Sequence, residues 1–158
     1  MLSTPKILRI VLLAITIVST FLLSYTTYVY IGVHQALATV EISILDFNFT
    51  VINSSLASTN ISFTIDNPSE FAFWMELSYQ ELYLNGEELG ETWLRFNEPV
   101  TLSTFSNISI TIKTWISGSE KVALLTSNSR HWYILLTIWL YPPMFSRQTI
   151  IERFSIEV

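Results

Sequence analysis

The stretch FAFWMELSYQELYLNGEEL, residues 71–89, decides the fold of this chain. Apolar residues occupy every second position from Phe71 to Tyr79, which is the period of a strand with one buried face. The polar residues between them are then expected to face solvent: Glu76, Ser78 and Gln80. The strand runs on to Asn85-Gly86, a pair that favours a β-hairpin because both residues tolerate positive φ.

The same alternation recurs on both sides of this hairpin. Further strands are predicted over residues 40–51, 61–65, 89–96, 108–114, 131–141 and 149–158. The first of them changes phase between Ile44 and Leu45, which indicates a β-bulge. Six or seven strands separated by turns every 8–15 residues or so are typical of an antiparallel sandwich. The only helical signal after residue 38 is a short segment that begins at Ser119, a candidate N-cap.

A second feature is the apolar run IVLLAITIVSTFLLSYTTYVYIGV, residues 10–33. It has no charged residue, and its length of about 24 residues suffices to cross ~30 Å of hydrocarbon as a helix. Lys6 and Arg9 precede it and no basic residue follows until Arg95, so the positive-inside rule places the N-terminus in the cytoplasm. The prediction is a single-pass cell-membrane protein with the membrane anchor in residues 1–38 and an extracytoplasmic domain in residues 39–158.

A cleaved secretory signal is the alternative to an anchor. Ala36-Leu37-Ala38 matches the small-residue pattern of a cleavage site. The apolar core of a signal peptide is usually about 7–15 residues, however, and this run is much longer. An uncleaved signal-anchor is therefore favoured, and both interpretations place the domain outside the cytoplasm.

Composition excludes several classes of function. The net charge is −5, and all 13 acidic residues follow the apolar run together with six of the eight basic ones. An acidic domain without a basic stripe is a poor nucleic-acid binder. The chain has no cysteine, which excludes disulfides and thiolate chemistry.

Neither a catalytic nor a cofactor or metal site is predicted. His34 and His131 have no further ligand at metal-binding spacing. Three glutamates cluster at the hairpin, where they are expected to be solvated: Glu87, Glu88 and Glu91. An acid–base pair would need a cleft and a raised pKa, which a hairpin tip does not offer. The sequence therefore predicts a protein that is not an enzyme.

Four Asn-x-Ser/Thr sequons are candidate glycosylation sites in an exported domain. They are centred on Asn48, Asn53, Asn60 and Asn107. Three of these, Asn48, Asn60 and Asn107, fall in the outward phase of their strands. The alternative interpretation is that all four are ordinary polar residues of a strand surface.

The strand over residues 131–141 is apolar on both faces, so cover beyond the core of the domain is expected. The short helix, a partner protein or the membrane surface would supply it, with the helix favoured. Aromatic residues of this strand and of the hairpin are the candidate partner contacts: Trp93, Tyr133, Trp139 and Tyr141.

Three motifs together resemble the group 2 late embryogenesis abundant proteins, also called the water stress and hypersensitive response domain. They are an apolar strand that ends in Asn67-Pro68, the hairpin segment 79–90 with its Asn-Gly and Leu-Gly, and the apolar strand 131–140. The resemblance covers roughly residues 40–158. It implies a seven-stranded sandwich of fibronectin type III shape with one short helix, and a role in stress protection or binding without catalysis.

The predicted function is a membrane-anchored extracytoplasmic module that binds proteins or packs into a surface assembly. Two alternatives stay open. One is a stress- or desiccation-protective protein that acts on membranes or client proteins, and the other is a carbohydrate-binding module in which tryptophan faces stack on sugars.

Overall fold

A computed structural model describes residues 4–126, 130–142 and 145–157. The chain divides into two compact units, residues 1–38 and 39–158.

The first unit is one long apolar helix. Helix α1 spans Thr4–Thr39 and is 36 residues long. It is long and apolar enough to cross a membrane. Its threonine hydroxyls donate hydrogen bonds to carbonyl oxygens one turn earlier, as from Thr26 Oγ1 to the Leu22 oxygen at 2.7 Å. Thr16 and Thr27 do the same. Because such bonds satisfy polar side chains within the helix, they suit an apolar environment.

The second unit is an antiparallel β-sandwich. Within its described residues the strands are β1 (Glu41–Asn53), β2 (Leu56–Asn67), β3 (Phe73–Leu84), β4 (Glu87–Leu102), β5 (Ser106–Ser117), β6 (His131–Tyr141) and β7 (Gln148–Glu157), with the short helix α2 (Ser119–Leu124) between β5 and β6. One sheet has the order β1-β2-β5 and the other the order β4-β3-β6-β7. The expected seven-stranded sandwich of fibronectin type III or immunoglobulin type with one short helix is confirmed.

The two inner faces form the core. Each central strand contributes a row of fully buried side chains at alternate positions, as expected for aligned sheets. On β2 these include Ile61, Phe63 and Ile65. On β6 they are Trp132, Ile134, Leu136, Ile138 and Leu140.

The predicted bulge in β1 is confirmed. The pairing of β1 with β2 shifts between Ile44 and Asp46, so Leu45 is the additional residue. Leu45 was expected to begin the new inward-facing phase, but its side chain lies on the surface and is 63% exposed. The inward phase resumes only at Phe47 and Phe49, which are half-buried.

A second bulge, in β3, overturns the expected phase of that strand. Met75 pairs with Leu140 of β6 and Leu77 pairs with the adjacent Trp139, so Glu76 is an extra residue. Phe73 and Met75 face the core before the bulge. Ser78, Gln80, Leu82 and Leu84 face it afterwards. The prediction that Ser78 and Gln80 face solvent is therefore wrong.

The inward Gln80 links the two sheets. Its Nε2 donates to Thr114 Oγ1 of β5 at 2.9 Å, and Thr92 Oγ1 of β4 lies 2.8 Å from the same Thr114 oxygen. The backbones are also close here, because a Cβ built on Gly90 would lie 3.1 Å from the Trp115 carbonyl oxygen. A side chain at Gly90 would require the neighbouring β5 backbone to shift by a few tenths of an ångström, which gives the Leu-Gly motif a structural reason.

The Asn-Gly hairpin between β3 and β4 is confirmed. Asn85 and Gly86 both have positive φ, of 50° and 87°, which is the geometry of a type I′ turn.

The cap of α2 differs from the expectation: the N-cap is Gly118, with φ 111°, and no side chain caps the helix. Ser119 is instead the first helical residue.

Asn67 fixes two loops at one end of the sandwich. Its side chain is fully buried at the end of β2. Nδ2 donates to the carbonyl oxygens of Phe71 at 2.7 Å and Ser103 at 2.8 Å. Oδ1 accepts hydrogen bonds from the backbone N–H and the hydroxyl of Ser69. Asn67 thereby ties the β2–β3 connection to the β4–β5 turn.

Substituting Asn67→Asp should destabilise the domain by about 2–4 kcal/mol at pH 7. A carboxylate cannot donate, so the Phe71 and Ser103 oxygens lose their donors and face a buried negative charge. The free energy of unfolding from denaturant titration measures the loss. As a control, Asn97→Asp changes an exposed residue of β4 and should alter it by less than about 0.5 kcal/mol. Equal effects at both positions would contradict this role for Asn67.

Candidate functional site

Aromatic side chains cover the outer face of the four-stranded sheet. They come from three strands: Trp74, Tyr79 and Tyr83 from β3, Trp93 from β4, and Tyr133, Trp139 and Tyr141 from β6. We call these seven residues the aromatic face. Trp93 and Trp74 are the most exposed, at 57% and 45%.

Three rings form a row across the centre of the aromatic face. Tyr79 and Trp93 are cross-strand partners, with ring centroids 4.4 Å apart. Trp93 and Trp139 stack at 5.6 Å with an interplanar angle of 10°, although β3 lies between their strands. The guanidinium of Arg147 lies 5.7 Å from the Trp139 ring centre. A row of mutually supported rings is a rigid apolar surface that loses little conformational entropy on binding.

Two carboxylates hold the tyrosines of this face. Glu81 and Glu91 are direct cross-strand partners, an arrangement that is unfavourable for like charges. Each accepts a hydrogen bond from a neighbouring phenol: Tyr79 donates to Glu91, and Tyr83 donates to Glu81 at 2.8 Å. The tyrosine rings are therefore tied down at their hydroxyl ends.

These carboxylates also change the acidity of the two phenols. The hydrogen bond to Glu91, followed by burial, raises the pKa of Tyr79 well above its ordinary value. The hydrogen bond to Glu81 raises the pKa of Tyr83. In both cases a phenolate would lose the bond to the carboxylate and be repelled by it.

Removing the Tyr79 hydroxyl should make the domain less sensitive to alkaline pH. Since its pKa is raised in the folded state, the unfolded chain loses this proton first, from about pH 10 upward. Stability of the wild-type protein should therefore fall as pH rises above 10, and more steeply than that of Tyr79→Phe. Denaturant midpoints at pH 8 and pH 11 measure the difference.

Glu91→Gln is the matched control, because it keeps an acceptor and removes the charge. Ultraviolet titration should then show Tyr79 ionising nearer to its ordinary pKa. Parallel pH profiles for the wild-type protein and Tyr79→Phe would contradict the assigned hydrogen bond.

A pocket of about 550 Å³ lies at one end of the aromatic face. It is lined by Trp74, Glu76, Pro99, Thr101, Tyr141, Pro142 and Phe145. The pocket lies beside the β3 bulge, where Glu76 faces residues 96–99 of β4. The bulge thus turns Tyr79 and Tyr83 outward onto the aromatic face, and its extra residue Glu76 also lines the pocket at the end of that face.

The four predicted contact residues lie on the aromatic face. Trp93 and Trp139 are stacked together, and Tyr141 lines the pocket. The ring centroid of Tyr133 lies 5.9 Å from that of Tyr83. Trp74, Tyr79 and Tyr83 also lie on this face, although they are not among the predicted contact residues. Tyr79 was expected to face the core because the alternation from Phe71 to Tyr79 conceals the extra residue.

The expected cover of β6 by the short helix is wrong. Helix α2 packs mainly against β5 and β2, which belong to the other sheet. Val122 and Leu125 are the buried residues of this segment. The outer side of β6 is covered in part by rings from neighbouring strands, and Tyr133 stays 37% exposed.

The sequons all lie in the three-stranded sheet. Asn48 and Asn53 are on β1, Asn60 is on β2, and Asn107 is on β5. Asn48, Asn53 and Asn107 are exposed and Asn60 is half-buried. No candidate glycosylation residue is on the sheet that carries the aromatic face.

The remaining polar candidates are separate from one another. His34 contacts Tyr30 in α1 with ring centroids 4.5 Å apart. His131 Nδ1 lies 3.3 Å from Glu157 at the exposed edge between β6 and β7. Glu87 and Glu88 are exposed at the hairpin, as expected. Across residues 4–126, 130–142 and 145–157, no group of three His, Asp or Glu side chains could hold a metal ion.

Comparisons with known proteins identify the fold. No family model matches the chain, and no curated protein matches it. Among solved structures it is similar to the solution structure of AT1g01470 from Arabidopsis thaliana, with a TM-score of 0.61 and 14% identity over 75% of this chain and 80% of that one. A solution structure described as a late embryogenesis abundant (LEA) protein, At2g46140.1, matches with a TM-score of 0.56 and 12% identity over 95% of this chain and 87% of that one. A crystal structure of a protein from Archaeoglobus fulgidus matches with a TM-score of 0.51 and 10% identity over 76% of this chain and 98% of that one.

Proposed function

We propose that this protein is a membrane-anchored binding module whose aromatic face contacts a protein partner. The supporting observation is the row Tyr79, Trp93 and Trp139, which is apolar, rigid and partly exposed. Tryptophan and tyrosine are the residues that most often dominate binding energy at protein interfaces. No catalytic group is needed for this role.

The outer face of the three-stranded sheet is polar, and this contrast supports the aromatic face as the binding surface. The three-stranded sheet presents mainly Asn, Ser and Thr, whose side chains hydrogen-bond one another, as Ser62 does with Thr111 at 2.8 Å. Its exposed tryptophan, Trp115, has Lys113 over its ring at 4.2 Å. Aromatic surface is thus concentrated on one side of the sandwich, which is typical of an interaction site.

Charge placement and the apolar helix support an outward orientation of the domain. Lys6 and Arg9 lie before the apolar part of α1, and the acidic residues all follow it. By the positive-inside rule the sandwich would lie outside the cytoplasm, with the membrane as the first partner through residues 10–33. A domain anchored in this way can meet partners on the same surface or in the surrounding medium.

We further infer distant membership of the late embryogenesis abundant group. The motifs that carry the resemblance have structural roles in this chain: Asn67 ties two loops together, Asn85-Gly86 forms the hairpin turn, and Gly90 allows β4 to approach β5. The match to the LEA protein At2g46140.1 agrees with this inference. It also favours stress protection of membranes or client proteins as the second candidate function.

Alanine at Trp93 should reduce recovery of the partner by at least about tenfold, the effect of losing a residue worth ~1.4 kcal/mol or more in binding. The full chain, purified from native membranes after chemical cross-linking, would be compared with the variant by quantitative mass spectrometry. Trp115→Ala is the matched control, because Trp115 is similarly exposed at 49% but lies on the opposite sheet. Thermal unfolding of each variant shows whether the domain stays folded.

Equal recovery of the same proteins with Trp93→Ala and with the wild-type chain would contradict the proposal. Protection of a heated client protein by the full chain, unchanged in Trp93→Ala, would instead favour the stress-protective function. Binding of the wild-type chain to free oligosaccharides, lost in Trp93→Ala, would favour the carbohydrate-binding alternative.

A further inference from the structure

We propose that the outer face of the three-stranded sheet carries N-linked glycans on Asn48, Asn53 and Asn107, and that Asn60 stays unmodified. The inference rests on the outward placement of the domain proposed above. It assigns the two faces of the sandwich different tasks: one is covered by sugar, and the other is left open for contact.

The distribution of the sequons is the first argument. All four lie on β1, β2 and β5, which together make one sheet. In the other sheet and its turns, Asn85 is followed by Gly-Glu and Asn97 by Glu-Pro, so neither begins a sequon. Because N-glycans are bulky, their attachment to one sheet only would leave the aromatic face uncovered.

The surroundings of the three modified residues form the second argument. Asn48, Asn53 and Asn107 are exposed, and Asn48 and Asn107 point away from the core. Asn53 lies at the β1–β2 turn, where its Oδ1 accepts hydrogen bonds from the N–H and the hydroxyl of Ser55. These bonds hold Oδ1 against Ser55, the third residue of the sequon, on an exposed turn.

Asn60 differs because Asn48 occupies the space beside it. The two residues are register partners on β1 and β2, and Asn60 Nδ2 lies 3.4 Å from Asn48 Oδ1. Cross-strand Cβ atoms of this kind are about 5 Å apart, which is comparable to the width of one sugar ring. On its other side Asn60 pairs with Lys113 of β5. A glycan on Asn48, on the edge strand, therefore covers the Asn60 amide.

The chemistry requires one co-reactant, an oligosaccharide linked through phosphate to a lipid on the outer side of the membrane. Nδ2 of the asparagine attacks the anomeric carbon of the first sugar and forms a C–N bond. The C–O bond between that carbon and the phosphate breaks, and the lipid phosphate leaves with the electron pair. The amide nitrogen gives up one proton, and no oxidation or reduction takes place.

Such a coat would suit this surface. Charged residues make up only 13% of the chain, and the outer face of β1, β2 and β5 is composed largely of Asn, Ser and Thr. Glycans would provide the hydration and solubility that charged side chains provide in most soluble domains.

The test is the mass of the full chain produced in its own source cells, with modified residues located by fragmentation of chymotryptic peptides. The wild-type protein should carry glycans on Asn48, Asn53 and Asn107. Ser109→Ala destroys the sequon of Asn107 and should remove one glycan mass. Ser109→Thr keeps that sequon and should remove none. Ser62→Ala destroys the sequon of Asn60 and should leave the attached glycan mass unchanged.

A separate arm distinguishes failure of this inference from failure of the proposed orientation. Because the chain has no cysteine, Thr104→Cys gives a single thiol on an exposed turn of the sandwich. A maleimide that cannot cross membranes should label it on intact cells. Labelling without any glycan would overturn the glycosylation proposal alone, whereas no labelling would overturn the outward placement and both proposals with it. A glycan on Asn60 in molecules that also carry one on Asn48 would overturn the exclusion between the pair.

Discussion

The extra residue at Glu76 in β3 is the constraint on which the arrangement of this domain depends. It reverses the phase of a central strand, so that Phe73 and Met75 before it and Leu82 and Leu84 after it all face one core. A one-residue change of register moves every later side chain to the opposite face. Tyr79 and Tyr83 consequently lie outside, where they complete the aromatic face.

The same reversal brings Ser78 and Gln80 into the core, where burying a polar atom without a hydrogen bond costs free energy. Within the described residues Ser78 Oγ and Gln80 Oε1 have no hydrogen-bond partner, whereas Gln80 Nε2 has one. Its bond to Thr114, together with that of Thr92, joins the sheets at the side where β4 approaches β5. The buried Asn67 side chain likewise hydrogen-bonds the β2–β3 connection and the β4–β5 turn. In a domain without cysteine, these polar links supplement apolar packing in fixing one alignment of the two sheets.

Local patterns were sufficient to predict much of the fold. Period-two alternation located the strands, and Asn85-Gly86 identified the hairpin because positive φ at both positions is a local property. The bulge in β1 was visible because the apolar phase changes at Leu45. The bulge in β3 was not visible, since apolar residues continue to alternate past Glu76 and a glutamate fits either a bulge or a solvent-facing position. The candidate site was predicted only in part, because the stacking of Trp93 on Trp139 joins strands that are not neighbours and depends on sheet order.

The most direct test of this account is the thermal unfolding of the full chain after deletion of Glu76, followed by circular dichroism. If Glu76 is the extra residue, its deletion leaves a regular strand. All the remaining side chains of β3 then stay on the same face of the sheet as before. We therefore expect the deletion variant to keep its β-sheet spectrum and to unfold cooperatively. Deletion of Thr137 in β6, a strand that pairs with β7 without any register shift and so has no extra residue to absorb the loss, should abolish the fold. Loss of the β-sheet signal in both variants alike would contradict the assigned bulge and, with it, the outward position of the aromatic face.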